Sequence, residues 1–424
     1  MQKQNRNNMN KNIAVIILAA GKSTRMKSEN PKVLHPICGR PMLEYVLDLV
    51  KSLKAKKIVA VLGFKHEEVR KHLGRGVTAV LQKRLLGTAD AVNTALPALK
   101  GFKGTVLVLY ADTPLLQKET VSKLLKYHIE NDLDATLLTG QLEKPQGYGR
   151  ILRDKYSSIR GIVEEKDADD FEKALKEINT GIICFNKEKL VKALKSVKPD
   201  NRKKEYYLTD TVKILYKKGC VVDALKLPDI NEALGINTRA ELAKANLNMQ
   251  GRINGQIMKS GVSIVDPGST FISWGVKIGT DTVIYPFTVI ERDVKIGKHC
   301  AVGPFCHLRE GTRLADDTLI GNFIEITRSS IGPKTIAKHF SYIGDTHVGK
   351  LVNIGAGTVV ANFDGKNKHR TKISDGALVG SDTILIAPVT VGKGATTGAG
   401  SVVTRNVAAK VTVVGIPARI LKKK

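Results

Sequence analysis

VKIGTDTVIYPFTVIERDVKIGKH (276–299) divides into four hexads, and the third place of each is isoleucine: Ile278, Ile284, Ile290 and Ile296. The register continues through Val302, Leu308, Leu314, Ile320 and Ile326. A six-residue period fits neither an α-helix nor an ordinary alternating strand. It is the mark of a β-helix, in which short strands coil about an axis and the third-place aliphatics fill the interior. Three hexads per coil make a triangular prism. The frame slips around residues 330–345, resumes at THVGKL, breaks at DGKNKHR (364–370), and returns from TKISDG onward. After that break only Thr397 is non-aliphatic at the third place. Solenoids carry function where insertions leave the wall. Here the insertion holds Lys366, Lys368, His369 and Arg370, with Lys372 next, a cationic arm suited to an anionic ligand along the prism.

The first half has another rhythm. IAVIIL, KIVAVL, VTAVL and TVLVLY are short, almost continuously apolar runs, separated by amphipathic segments such as MLEYVLDLVKSL (42–53) and TADAVNTALPAL (88–99). Alternation of this kind predicts a Rossmann-like, mainly parallel sheet with helices on both faces. Ligands then bind beyond the carboxyl ends of the strands. LAAGKSTRMKSENPKVLHP (18–36) follows the first such strand and carries Lys22, Arg25, Lys27 and Lys32; Asp112 follows TVLVLY. The two loops therefore face one crevice. The GKS here is no Walker A loop, because the glycine required five residues before Gly21 is Ile16. Between the halves, Thr238 and Glu241 have capping-box spacing and Gly261 can end the helix they begin.

The expected organisation is a frayed tail over 1–11, an α/β domain over 12–238, a helical linker over 239–262 and a β-helix over 263–424. The polar N-terminus has no hydrophobic signal region and no apolar run is long enough for a membrane span, so a cytoplasmic protein is expected. Five cysteines without a C-x-x-C pair read as reduced thiols. His66 opens HEEVR, where Arg70 spoils a zinc-binding H-E-x-x-H. A net charge of +28 would suit nucleic acid, but the lysines are spread along the chain and aromatics are 5 % with one tryptophan, so nucleic acid is not the expected partner.

Read from the residues alone, Arg25 and Lys32 fit either phosphate binding or a solvated loop. Asp112 before Thr-Pro fits a metal ligand or a helix cap. Asn179, Asn237, Gly87 and Gly149 fit ordinary turns.

The motifs taken together are more specific. LAAGKSTRM, PKVLH, LGTADA, ADTPL, GYGRI, IVEEKDA, EINTGI, EYYLTD and GIN precede GPFCHLREG, GNFIEI, HFSYIGD, VNIGAGTV, NFDGKNK and VGSDT. In this order the chain resembles the bifunctional N-acetylglucosamine-1-phosphate uridylyltransferase/glucosamine-1-phosphate N-acetyltransferases, from about Ile13 to about Asn406. The resemblance implies a left-handed coil, a homotrimer, and two reactions. Glucosamine-1-phosphate and acetyl-CoA give N-acetylglucosamine-1-phosphate, which with UTP gives UDP-N-acetylglucosamine and pyrophosphate.

It also implies roles. Arg25 would stabilise the leaving pyrophosphate and Lys32 the reacting phosphate. Gly21, Gln82, Gly87 and Thr88 would bind the nucleotide, and Gly149, Glu164, Asn179 and Thr209 the amino sugar. Asp112 and Asn237 would hold Mg2+. His339 would be the base of acetyl transfer, and Arg309, Tyr342, Asn353 and Asn362 would hold the acceptor, Asn362 also orienting the base. Lys368, Ser381 and Ala399 would meet acetyl-CoA.

Some positions depart from the pattern. Thr327 replaces a lysine expected on the sugar phosphate, and strand alternation should turn neighbouring Arg328 to the other face. Phe363 replaces a tyrosine, Lys338 replaces a glycine, and the ending KVTVVGIPARILKKK is shorter than expected. The alternative reading keeps uridylyl transfer and gives the prism another acyl acceptor or only a trimerising role.

Overall fold

A computed structural model describes residues 12–22 and 24–421. The expected tail over 1–11 lies outside the described residues. The chain divides into two compact units, 1–245 and 246–424.

In the first unit the apolar runs become strands because both their faces are covered. All seven residues of β1 (Ile13–Ala19) are buried. So are nearly all of β2 (Lys57–Leu62) and β4 (Thr105–Tyr110), while β3 (Thr78–Leu81) forms an edge. β5 (Ala135–Gln141), the hairpin β6 (Arg150–Arg153) and β7 (Ile159–Val163), β8 (Glu177–Asn186) and β9 (Val222–Lys226) complete the sheet. Its main order is β9-β5-β8-β4-β1-β2-β3. β1 pairs in parallel with β2 and β4, whereas β8 runs antiparallel to β4 and β5. Since β1 and β4 are parallel neighbours, the loops after both open on the same edge, and Ala111 N–H donates to Leu18 C=O at 3.0 Å. Apolar clusters from helices such as α1 (Met42–Ser52) cover the sheet.

The second unit is a prism with three walls. Its inward residues stack coil on coil. Wall A runs through Ile284, Val302, Ile320, Ala337, Ile354, Val379 and Thr397; wall B runs through Ile290, Leu308, Ile326, Ile343, Val360, Leu385 and Val403. Wall C runs through Ile278, Ile296, Leu314, Ile331, Val348, Ile373 and Val391. Most are essentially inaccessible to solvent, and Thr397 is fully buried with the rest. Walls A and B belong to one sheet because strands Leu319–Thr327 and Ile336–Gly344 run unbroken round their shared corner.

The corners fold by a local device. Asp281, Phe287, Asp293, His299, Phe305, Asp317 and Phe323 all have φ between 55° and 60°, six or twelve residues apart. Positive φ is unusual for a side-chain-bearing residue, so the repeated parallel pairing on each side must hold it. Buried threonines add coil-to-coil bonds, as from Thr282 Oγ1 to Gly297 C=O at 2.9 Å and Thr335 Oγ1 to Gly349 C=O at 2.8 Å.

The slip in the hexad frame has a single location. After a first coil whose A–B step runs eight residues from Ile264 to Ile272, steps from A to B and from C to A stay at six, as in Ile320–Ile326 and Leu314–Ile320. Steps from B to C shorten to five at Ile326–Ile331 and Ile343–Val348, then lengthen to thirteen at Val360–Ile373. Every irregularity in these coils lies at the B–C corner. Among the described residues no helix is long and apolar enough to cross a membrane.

Between these structural roles, one buried histidine is exposed to pH. Its imidazole Nδ1 lies 2.8 Å from Thr136 Oγ1 behind α2 (Lys118–Glu130), and burial pushes His128 down to about 4 from an ordinary 6.5, against Asp134 and Asp132. The unfolded chain therefore takes this proton more readily. Stability is complete above about pH 6.5 and falls as pH drops toward 4. His128→Gln should lose less stability than the parent between about pH 7 and pH 4.5, by about 2–3 kcal/mol. Equal losses in denaturant titrations at the two pH values would contradict this.

Candidate functional site

Pro31 leads into a single turn at Lys32–Leu34, which aims the Lys32 side chain across the crevice. Its ammonium is nearly buried; it pairs with Asp112 Oδ2 and donates to Asn237 Oδ1 at 2.9 Å. Arg25 Nη2 donates to the same Asn237 oxygen at 2.9 Å. Asn237 is held for this purpose. Its amide nitrogen donates to Gly235 C=O at 3.2 Å, and Ile236 N–H donates to Asp112 C=O at 3.0 Å. Glu241 Oε2 accepts from the backbone N–H of Asn237 and Thr238 at 2.6 and 2.9 Å, while Thr238 Oγ1 accepts from Glu241 N–H at 3.2 Å. This capping box starts helix α3 (Arg239–Lys259) and sets an anion at the positive helix end. Four residues expected at one site thus converge from segments far apart in sequence.

Beside them runs a connected strip. Gln82 is buried and its Nε2 donates to Gly87 C=O at 3.1 Å and Asp90 Oδ2 at 2.7 Å. Thr88 Oγ1 accepts from Leu208 N–H at 2.9 Å, and Thr209 Oγ1 donates to Glu164 Oε1 at 3.0 Å. Gly149 C=O accepts from Asn179 N–H at 2.9 Å, and Asn179 Oδ1 accepts from Gly181 N–H at 3.0 Å. Burial raises the Glu164 carboxyl, and the Thr209 bond opposes the shift. Gly21 lies exposed, with open space where a side chain would stand.

Two tyrosines here escaped the sequence reading. Burial raises the Tyr110 phenol, with the charges of Glu164 and Asp112 adding to it, which sets Tyr110 between the strip and the Asp112 group. Tyr148 is raised by burial, then by Glu241 and Asp112. The available signal was a tyrosine closing an apolar strand immediately before Asp112.

In the prism the expected residues form two groups. His339, Ser381 and Ala399 occupy equivalent places at the A–B corner, each two residues beyond an inward wall A residue: Ala337, Val379 and Thr397. Ala356 fills that place on the coil between His339 and Ser381, and its carbonyl accepts from Asp382 N–H at 2.6 Å. Ala356 was not singled out from sequence, although the hexad register identifies it. The place one residue earlier is Gly321, Gly355, Gly380 and Gly398 on neighbouring coils and Lys338 beside His339. His339 is exposed, and Asn353 stands on the outer face of wall A.

The second group gathers at the irregular B–C corner. Arg309 pairs with Glu325 at 2.8 Å, beside Tyr342. Asn362 Nδ2 donates to Asp345 Oδ2 at 2.5 Å, so within the chain its amide serves Asp345 and not His339. The arm closes on itself: Phe363 bridges Lys368, and Asp364 accepts from the N–H of Lys366 and Asn367 at 2.8 and 2.6 Å. Phe363 is 58 % exposed and Lys368 is exposed on this arm.

One expectation fails here. Arg328 does not turn away from Thr327. The strand ends at Thr327, and Arg328 takes φ 47°, which cancels strand alternation. Its guanidinium forks onto Asp345 at 2.7 and 2.8 Å, reaches Tyr342, and donates to Thr327 Oγ1 at 3.1 Å. Thr327 itself is buried. The Arg328 bond holds the Asp345 carboxyl below the usual range. Arg328 and Asp345 therefore belong to the group that sequence alone assigned to Arg309, Tyr342 and Asn362.

No group of three or more His, Cys, Asp or Glu side chains is arranged to hold a metal among the described residues. A magnesium site requires less, since Mg2+ keeps several waters and takes one or two hard oxygens from protein. The Asp112 carboxylate and the Asn237 amide oxygen are such donors, and they already hold one cation, the Lys32 ammonium, between them.

Comparison with known proteins agrees with both halves. Residues 15–178 match the MobA-like NTP transferase domain, and residues 275–310 match the bacterial transferase hexapeptide repeats. Proteins titled "Bifunctional protein GlmU" align along nearly the whole chain. That of Geobacillus sp. strain WCH70 is 44 % identical, over 92 % of this chain and 93 % of its own length. That of Bacillus subtilis strain 168 is 42 % identical, over 95 % of both. That of Acetivibrio thermocellus is 44 % identical, over 93 % of both.

The strip offers a direct check. Gly87 has φ 117°, and a Cβ there would stand 2.5 Å from Tyr206 C=O. Gly87→Ala should destabilise the first unit by about 1–3 kcal/mol and weaken UTP binding. An unchanged melting temperature together with unchanged UTP affinity by calorimetry would show that the strip tolerates displacement.

Proposed function

The chain belongs to the bifunctional GlmU family of uridylyltransferase/acetyltransferases, and on that premise we propose that each half carries one reaction of UDP-N-acetylglucosamine synthesis. The second unit transfers acetyl from acetyl-CoA to glucosamine-1-phosphate. The first couples N-acetylglucosamine-1-phosphate to UTP and releases pyrophosphate.

Uridylyl transfer needs no protein nucleophile, because the sugar phosphate attacks the α-phosphorus itself. It needs charge neutralised where it develops and an in-line approach. The observation that carries this reading is the convergence of Arg25, Lys32, Asp112 and Asn237. Lys32 bridges Asp112 and Asn237 in the free chain; with nucleotide present its ammonium turns to the reacting phosphate and Arg25 to the departing pyrophosphate. Asp112 and Asn237 would then hold Mg2+, which when bound would supply further neutralisation of phosphate charge. Gly21, Gln82, Gly87 and Thr88 seat the nucleotide. Gly149, Glu164, Asn179 and Thr209 seat the amino sugar.

For acetyl transfer the glucosamine amine loses a proton as it attacks the thioester carbonyl, and coenzyme A leaves as the thiol. His339 accepts that proton. The small side chains of Ala356, Ser381 and Ala399 leave a lane along the His339 corner for acetyl-CoA, with Lys368 at its phosphates. Arg309, Tyr342, Asn353 and Asn362 hold the acceptor, and Arg328 supplies the cation that Thr327 lacks.

The chain works as a homotrimer in this reading. The A–B corner exposes a stack of Phe287, Phe305 and Phe323, with ring centroids 4.9 and 5.0 Å apart, and Phe340 is exposed beside it. Val289, Val359, Leu378 and Ile384 continue the apolar surface over walls A and B. An apolar surface of that extent supports burial against another copy.

Two assays on one preparation test the division. His339→Ala should lower thiol release from acetyl-CoA with glucosamine-1-phosphate by 10²–10⁴-fold, an order-of-magnitude figure for roughly one lost general base, and leave pyrophosphate release from UTP intact. Thiol release that survives His339→Ala would favour another base. No release from the parent protein would favour a prism with a different acceptor or a scaffolding role. Phe323→Arg should shift sedimentation from trimer to monomer and abolish thiol release; a trimer that persists would rule the aromatic stack out of the interface.

A further inference from the structure

The three walls of the prism differ in what they show to solvent. Outward residues of wall A include Val283, Leu319, Ile336 and Leu378. Those of wall B include Phe271, Val289, Tyr342 and Val359. On wall C the outward residues in direct register are Lys277, Lys295, Arg313, Ser330, His347, Lys372 and Thr390, one from each successive coil. Neighbouring rungs stand about 4.8 Å apart, the spacing of paired strands. Like charges placed directly opposite one another weaken a sheet, so the run Lys277, Lys295 and Arg313 is a cost to the fold.

Carboxylates offset part of it. Asp293 pairs with Arg313 at 2.9 Å, and Asp345 is engaged by Arg328. Along the C–A corner Lys298, Lys334, Lys350, Lys393 and Lys410 stand among Asp281, Asp316, Asp317 and Asp375. Asp316 and Asp375 also accept from the backbone N–H of Lys298 and Lys350 at 2.8 and 3.0 Å. A groove of about 710 Å³ crosses the ladder, lined among others by Arg313, Arg328, Asp345, His347, Arg370 and Lys372. Ser330 Oγ and His347 Nδ1 lie 2.7 Å apart on its floor. Apart from the His347 imidazole, neither ladder nor groove contains an aromatic side chain.

We propose that wall C is a docking track for a linear phosphate polyanion that carries no bases, of the inorganic polyphosphate class. The track is one residue wide and follows the prism axis, which suits a chain more than a planar surface. Single-stranded nucleic acid draws on aromatic stacking platforms, and wall C has only the His347 imidazole. The ladder residues are not among those assigned to either reaction, although the groove also touches Arg328 and Asp345 of the B–C corner.

The test is binding of inorganic polyphosphate of defined length to the full chain across a salt series. Three proteins are compared: the parent, K277E/K295E/K372E, and K54E/K103E/K123E, whose lysines are exposed on the first unit. Both triple variants change net charge equally, and thermal melting confirms that each is folded. The wall C variant should bind at least tenfold more weakly, with the slope of log K against log salt reduced by roughly 2, about 0.7 for each lost phosphate contact. The first-unit variant should bind like the parent. Equal weakening of the two variants would overturn the track, as would single-stranded DNA outcompeting polyphosphate at equal phosphate concentration.

Discussion

Lys32 sets its ammonium between the Asp112 carboxylate and the Asn237 amide oxygen, and this contact joins three segments lying 80 and 205 residues apart. Each partner depends on a different part of the fold. Asp112 is placed by the parallel pairing of β1 with β4, Lys32 by the turn after Pro31, and Asn237 by the Glu241 capping box. A buried ammonium without such partners would carry a large desolvation penalty. The arrangement holds an ammonium between two hard oxygens at the edge where both loops open.

The prism obeys a different constraint. Its interior demands one aliphatic or small side chain per wall per coil, and after the first coil two of its three corners keep a six-residue step. The third corner absorbs the change in chain length, and there Arg309, Arg328, Tyr342, Asp345, Asn362 and the cationic arm collect. Irregularity and polar clustering coincide there, because the altered step frees residues such as Arg328 from strand geometry. The A–B corner contributes by the opposite means, since strict regularity aligns His339 with Ala356, Ser381 and Ala399.

The sequence made both folds legible because the signals are local. Hexad register named the inward residues directly, including Thr397, and apolar runs named the strands, although VTAVL, expected to be buried, became the half-exposed edge strand β3. The convergence of Lys32, Asp112 and Asn237 was legible only in part: strand order put two loops on one crevice, while the third came through resemblance. Arg328 was misjudged because strand alternation was applied one residue beyond the strand's end, where φ is positive. Asp345 and Tyr110 passed unnoticed because their roles arise from neighbours on another coil or strand, which no short motif records. The cationic ladder of wall C was hidden for the same reason, as its members lie about one coil apart and each looks like an ordinary surface residue.

The most direct measurement is an electron paramagnetic resonance titration of Mn2+, as a stand-in for Mg2+, with UTP and the full chain. It would compare the parent with Asp112→Asn. If Asp112 and Asn237 are the oxygens that Lys32 releases to the metal, the variant should bind Mn2+ at least tenfold more weakly while still binding UTP. Unchanged Mn2+ affinity would contradict the account, and would mean that Asp112 serves only to hold Lys32 in place.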